Sequence, residues 1–150
     1  MKIFPSPACY EFVNESIALN TLEIAIHPME KLATYRQYVK KVLNDFCEFR
    51  RNASIRPEVR AIEVNPIFDE VNDRYAVVID GWTTKRREYG FIMHIDIKSS
   101  SPDDAKIWVQ YNGTEIEIVQ QLLDRGVPKD DLVLGYHPPS IRPFTEFALG

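Results

Sequence analysis

Three side chains on one run of sequence, His94, Asp96 and Lys98, have the types and spacing to do chemistry. In a strand, alternate residues share a face, so the imidazole, the carboxylate and the amine project together, with Asp96 and Lys98 about 7 Å apart along the chain. A carboxylate beside an imidazole orients the ring and can begin a metal site. With Asp80 upstream, Asp96 and Lys98 also imitate the D…D-x-K arrangement of a metal-dependent nuclease, in which acidic groups hold a divalent ion and a lysine stands near the attacking water. Each reading is incomplete. His27 and His137 lie in unrelated contexts, no further ligand falls in register, and acid–lysine pairs arise readily on solvated strands. No serine or cysteine has a nucleophile's setting. The expectation is a noncatalytic chain with no metal site and no cofactor, and nuclease or other nucleic-acid-processing chemistry as the alternative.

The strand that carries these residues, Arg87 to Lys98, alternates clearly. Phe91, Met93, Ile95 and Ile97 should face a core, and Ile92, His94, Asp96 and Lys98 the other side. A polar run, Ser99 to Asp104, then turns the chain. Lys106 to Asn112 resumes the alternation, with Ile107, Val109 and Tyr111 opposite Trp108, Gln110 and Asn112. Upstream, Ala61 to Phe68 and Tyr75 to Trp82 read as a hairpin. Its acidic loop, Asp69 to Asp73, lacks the glycine and glutamate of an EF-hand and reads as a solvated turn.

Two helices should cover one side of this meander. Leu32, Tyr35, Val39, Val42, Phe46 and Phe49 recur at three- and four-residue spacing, one apolar stripe. Around it Lys31, Arg36, Lys40, Lys41, Arg50 and Arg51 outnumber the acids, which reads as the helix's solvated face. A second helix is signalled by Thr114 and Glu117 as a capping box, placing its start at Glu115, with Gly126 at its end and Pro128 beyond. The tail, with Pro138, Pro139 and Pro143, reads as a short apolar segment and an extended, ordered arm. The fold class is α+β: an antiparallel meander of about four strands, a long N-terminal helix, and a second helix packed on one face.

Composition bounds the function. A chain of 150 residues with 45% hydrophobic and 27% charged residues suits a single soluble domain. The net charge of −4 weighs against unaided binding of a phosphate backbone. No apolar run is long enough for a membrane, and Cys9 and Cys47 lack metal-ligand spacing, so a cytoplasmic protein with reduced thiols is expected. Residues 1–28, interrupted by Pro5, Pro7 and Pro28, read as an appended segment with a short strand at Leu22 to Ile26, or as an overlong start with Met29 as the initiator. Residues 29–150 form the single domain.

The motifs LATYRQYVKKVL, REYGFIMHIDIK, KIWVQYNGTE, LLDRGVPKDDLVLGYHPP and RPFTEFA, in this order from about Met29 to Leu149, resemble the XisI-like family of fdxN element excision controlling factors. The resemblance implies an α+β domain with an antiparallel sheet and flanking helices. It also implies a controlling role in programmed excision of a DNA element during heterocyst development, exerted through a XisH-type protein partner. Contact with DNA and with the recombinase, a separate protein, would then be indirect. Self-association is left open. The polar sheet face and the tail supply the candidate partner-binding residues: Trp82, His94, Asp96, Trp108, Gln110, Tyr136, Arg142 and Phe144. Tryptophan, tyrosine and arginine anchor protein interfaces, and a proline-stiffened arm loses little entropy on docking.

Overall fold

The computed structural model describes residues 8–53, 61–101 and 103–150, and side chains from residue 31 onward. The side chains of Cys9 and His27 and the connection around Pro57 therefore lie outside what is described. Helix α1 spans Ala8–Ala53. It runs through Leu22 to Ile26 and through Pro28, where the sequence suggested a strand and a break. A proline removes one backbone hydrogen bond, and in a helix of 46 residues the remaining ladder carries the element past it.

Five strands follow: β1 (Ile62–Asp69), β2 (Arg74–Trp82), β3 (Arg87–Lys98), β4 (Lys106–Asn112) and β5 (Leu132–Leu134). They lie side by side in chain order. The first four are antiparallel, and β5 joins β4 in parallel after helix α2 (Ile118–Asp124) has crossed over. The short apolar segment of the tail is thus a fifth strand, one more than expected. Among the described residues no helix is long and apolar enough to cross a membrane.

Helix α1 buries Tyr35, Val39, Val42, Leu43, Phe46 and Cys47 against the inner sheet face formed by Tyr75, Val77, Met93, Ile95, Ile107 and Val109. Ile118 and Leu122 of α2 close the same core. Phe49, expected on the stripe, is exposed beyond the packed turns. Burial pushes the Cys47 thiol up, with Arg51 a weaker opposing influence.

The cations of α1 do not simply face solvent. Arg36 grips Asp73, Lys40 pairs with Glu70 at 3.0 Å, and Lys31 pairs with Asp131 at 2.9 Å. The acidic hairpin loop, read as solvated, is therefore held to the helix. Asp69 shapes it from within by accepting the N–H groups of Val71 and Asn72, each at 3.1 Å. Those bonds, after the stronger one from the Asn72 amide, hold its carboxyl below the usual range.

Helix α2 starts at Ile118 rather than Glu115, and Glu117 makes no side-chain cap. Asn112 takes the place of the expected box: its Oδ1 accepts both the N–H of Thr114 at 3.0 Å and the Thr114 hydroxyl at 2.7 Å. With the threonine so engaged, the chain stays in turns for three more residues. The far end follows expectation. Gly126 takes φ +95°, its N–H reaches the Leu123 carbonyl, and the N–H of Val127 reaches that of Leu122, the paired bonds of a Schellman terminus.

Candidate interaction surface

Two bulges decide what the outer sheet face displays. Val77 pairs with Met93 but Val78 with Phe91, so Ile92 is an extra residue in β3. His94 pairs with Tyr111 but Ile95 with Val109, so Gln110 is extra in β4. An extra residue reverses the phase of everything beyond it. Phe91 and Tyr111, both expected in the core, are consequently on the outer face and exposed, while Ile92 packs partly against the core.

Near the end of β3 on that face Asp96 is 5% exposed, the one buried charged residue among those described. Its Oδ1 lies 2.9 Å from His94 Nε2 and its Oδ2 accepts the Gln110 amide at 2.9 Å. A carboxylate only accepts, so this contact is a hydrogen bond when Nε2 carries a proton. Arg74 Nη1 stands 3.8 Å away. Both oxygens are thus spoken for by neighbours in the sheet, which is what a buried carboxylate needs in order to be tolerated.

The nuclease arrangement is not assembled. Asp96 lies opposite Arg74 at one end of β2 and Asp80 near the other, about 20 Å away by strand rise. Asp80 is engaged by Arg87 at 2.6 Å, and Lys98 Nζ sits 3.9 Å from the centroid of the Trp108 ring. Among the described residues no group of three or more His, Cys, Asp or Glu is placed to hold a metal ion.

The C-terminal arm covers the β4–β5 side. Ala148 bridges to Val133 and its N–H reaches the Leu132 carbonyl at 2.9 Å, closing the β5 edge. Arg142 lies over the Trp108 ring at 5.0 Å, opposite in role to a free cation, because Nε donates to the His137 carbonyl and Nη1 to that of Leu149. Trp108 is half-buried beneath it. Successive turn bonds, His137 to Leu134, Ile141 to Pro138 and Phe144 to Ile141, stiffen the arm. It holds Tyr136 48% exposed, Ile141 44% and Phe144 86%. Beside Tyr136, a surface cavity of about 590 Å³ is lined by Val119, Leu123, Ile116 and Phe147.

The sequence-derived residues therefore fall into three places. His94, Asp96 and Gln110 form the polar cluster, and Trp108 and Arg142 stack beside it. Tyr136 and Phe144 project from the arm. Trp82, 63% exposed, stands apart at the far end of β2 near Tyr89, while Phe91 and Ile67 are exposed further along the same face; alternation alone does not reveal these three. Arg87 lies over the rings of both Trp82 and Tyr89, at 5.8 and 5.2 Å. Trp82 pairs with Arg87 across the hairpin.

The fold is an α+β domain with one sheet face covered by helices and the other carrying exposed aromatic side chains. The chain belongs to the XisI family, whose model, described as XisI protein, matches residues 29–149. It is similar to a crystal structure of a XisI-like protein from Anabaena variabilis ATCC 29413, at 30% identity and TM-score 0.67, over 79% of this chain and 99% of that one. A second similar structure, the fdxN element excision controlling factor XisI from the same organism, has 30% identity and TM-score 0.62 over 80% and 99%. No curated protein matches the chain.

Proposed function

We propose that this protein is a noncatalytic controlling factor for programmed excision of a DNA element, and that it works by binding a XisH-type protein through its C-terminal arm. One similar structure bears the name of such a controlling factor. The observation that carries the binding surface is Phe144, 86% exposed on an arm fixed by backbone turns and by Arg142. An aromatic ring held rigidly in water serves no packing purpose within the chain, and a preordered anchor loses little entropy when a partner closes over it. Tyr136 and the adjoining cavity extend the same surface toward α2.

The test is co-expression with a XisH-type protein followed by measurement of the complex. Phe144→Ala with Tyr136→Ala should weaken it by about tenfold or more, the scale of a lost hot spot. Undiminished affinity in that double variant would remove the arm from the interface. DNA cleavage by this chain alone with magnesium or manganese would overturn the noncatalytic reading.

A further inference from the structure

The outer face of β1–β3 carries a hole and a knob of matching character. The hole follows from the cross-strand row Ile67, Ala76, His94, Tyr111, in which one small residue stands among three large ones. Ala76 floors a cavity of about 310 Å³ walled by Ile67, Phe91, His94 and Tyr111. The knob is Trp82, on the same strand and the same face, about 20 Å further along β2.

We infer that this face is the contact between two copies of the chain, with Trp82 of each copy seated in the Ala76 hole of the other. A two-fold axis lying parallel to the sheet and crossing β2 at right angles near Ile79, midway between the two residues, reverses the strand and brings both knobs over both holes at once. Such reciprocity is what an isologous interface requires. The same operation sets Phe91, which pairs with Val78, against Tyr89, which pairs with Asp80, so that two exposed rings meet twice. It also carries the turn with Lys85, Arg86 and Arg87 over the opposite end of the sheet, where Asp69 and Glu70 lie. Arg86 is paired with Glu88, Arg87 with Asp80 and Glu70 with Lys40, so these charges are largely neutralised within each copy and the rings carry the contact. Arg87, over both Trp82 and Tyr89 and paired with Asp80, orders the knob beforehand.

Sedimentation of the full chain over micromolar concentrations tests this. A reversible dimer is expected, and Trp82→Ala and Ala76→Leu should each weaken it by about tenfold or more. Mixed in equal amounts, the two variants should associate more tightly than either alone. The mixed pair keeps one native contact and, at the other, sets the filled hole of one copy against the truncated knob of its partner. Trp82 is exposed, so its variant decides the matter if Ala76→Leu does not fold. A chain that stays monomeric, a dimer that neither variant weakens, or a mixture no tighter than its components would overturn the inference. So would a monomer that loses its XisH-type partner on Trp82→Ala, which would assign the face to that partner.

Discussion

Arg36 and Asp73 meet fork to fork: Nε lies 2.7 Å from one carboxylate oxygen and Nη2 2.8 Å from the other. Asp73 has φ +54°, a left-handed backbone that closes the β1–β2 hairpin, and its carboxylate also accepts the Tyr75 hydroxyl at 3.0 Å. One aspartate thus shapes the turn, satisfies a buried tyrosine and ties the hairpin to α1. The two ends of this ion pair come from a helix face and a loop that the sequence pattern alone assigns to solvent.

Asp73→Ala is expected to lower stability by about 2 kcal/mol, since it strands both the guanidinium and a buried hydroxyl and places a less tolerant residue at positive φ. Arg36→Ala should cost about 1 kcal/mol, because the arginine side chain is 34% exposed and the carboxylate keeps Tyr75. Urea unfolding of the two single variants and the double variant should give a coupling of about 1 kcal/mol. Additive losses would mean that the forked geometry contributes nothing beyond its parts.

Two tyrosines make the fold alkali-sensitive. Burial, then the hydrogen bond to Asp131 and its charge, pushes Tyr35 above the usual phenol range. Burial, then Asp73, does the same to Tyr75. In the unfolded chain both lose their protons near pH 10 while the folded chain retains them, so the stabilisation is complete below about pH 10 and declines as pH rises toward the folded values. Each group adds up to about 1.4 kcal/mol per pH unit to that decline. Stability measured from pH 9 upward should fall, and Tyr35→Phe or Tyr75→Phe, though less stable at neutral pH, should flatten the fall. An unchanged slope in both variants would exclude the tyrosines as its cause.

Gly126 offers a cleaner backbone test. Its φ is +95°, and a Cβ built there meets nothing within 4 Å. Gly126→Ala should therefore cost about 1 kcal/mol from backbone strain alone, with no clash. Thermal unfolding will register it. A neutral result would mean that the α2 terminus relaxes out of its left-handed turn.

What could be read in the sequence was whatever repeats locally. The stripe from Leu32 to Phe46 and the alternation of β2 to β4 gave the helix, the meander and most of the core, because periods of 3.6 and 2 are visible without knowing the partners. Alternation puts Phe91 and Tyr111 on the wrong face because a bulge is created by pairing, and Ile92 and Gln110 look in sequence like any other strand residues. Strand β5 has only three residues, too few to show a period. The start of α2 was lost to Asn112, two residues before the expected cap and a competitor for the same threonine. For the surface, alternation correctly grouped His94, Asp96 and Gln110, while Trp82 was separated from them by the length of β2, a distance that face alone does not encode.

Asp96 is the residue on which a catalytic and a structural reading differ most sharply. Buried and bonded to His94 and Gln110, it leaves both without their acceptor when removed, so Asp96→Ala should lower stability by roughly 1–3 kcal/mol. Asp96→Asn keeps an acceptor for His94 but turns its amide toward the donor of Gln110, and should recover only part of the loss. Asp80→Ala removes an exposed pair with Arg87 and should cost less than about 1 kcal/mol. A metal site would require the two aspartates to act together. The structure instead predicts that a stability cycle between Asp80 and Asp96, about 20 Å apart, shows no coupling, and that added magnesium or manganese raises the melting temperature of neither the parent nor the variants. Metal-dependent stabilisation lost in both variants would return the nuclease arrangement to consideration.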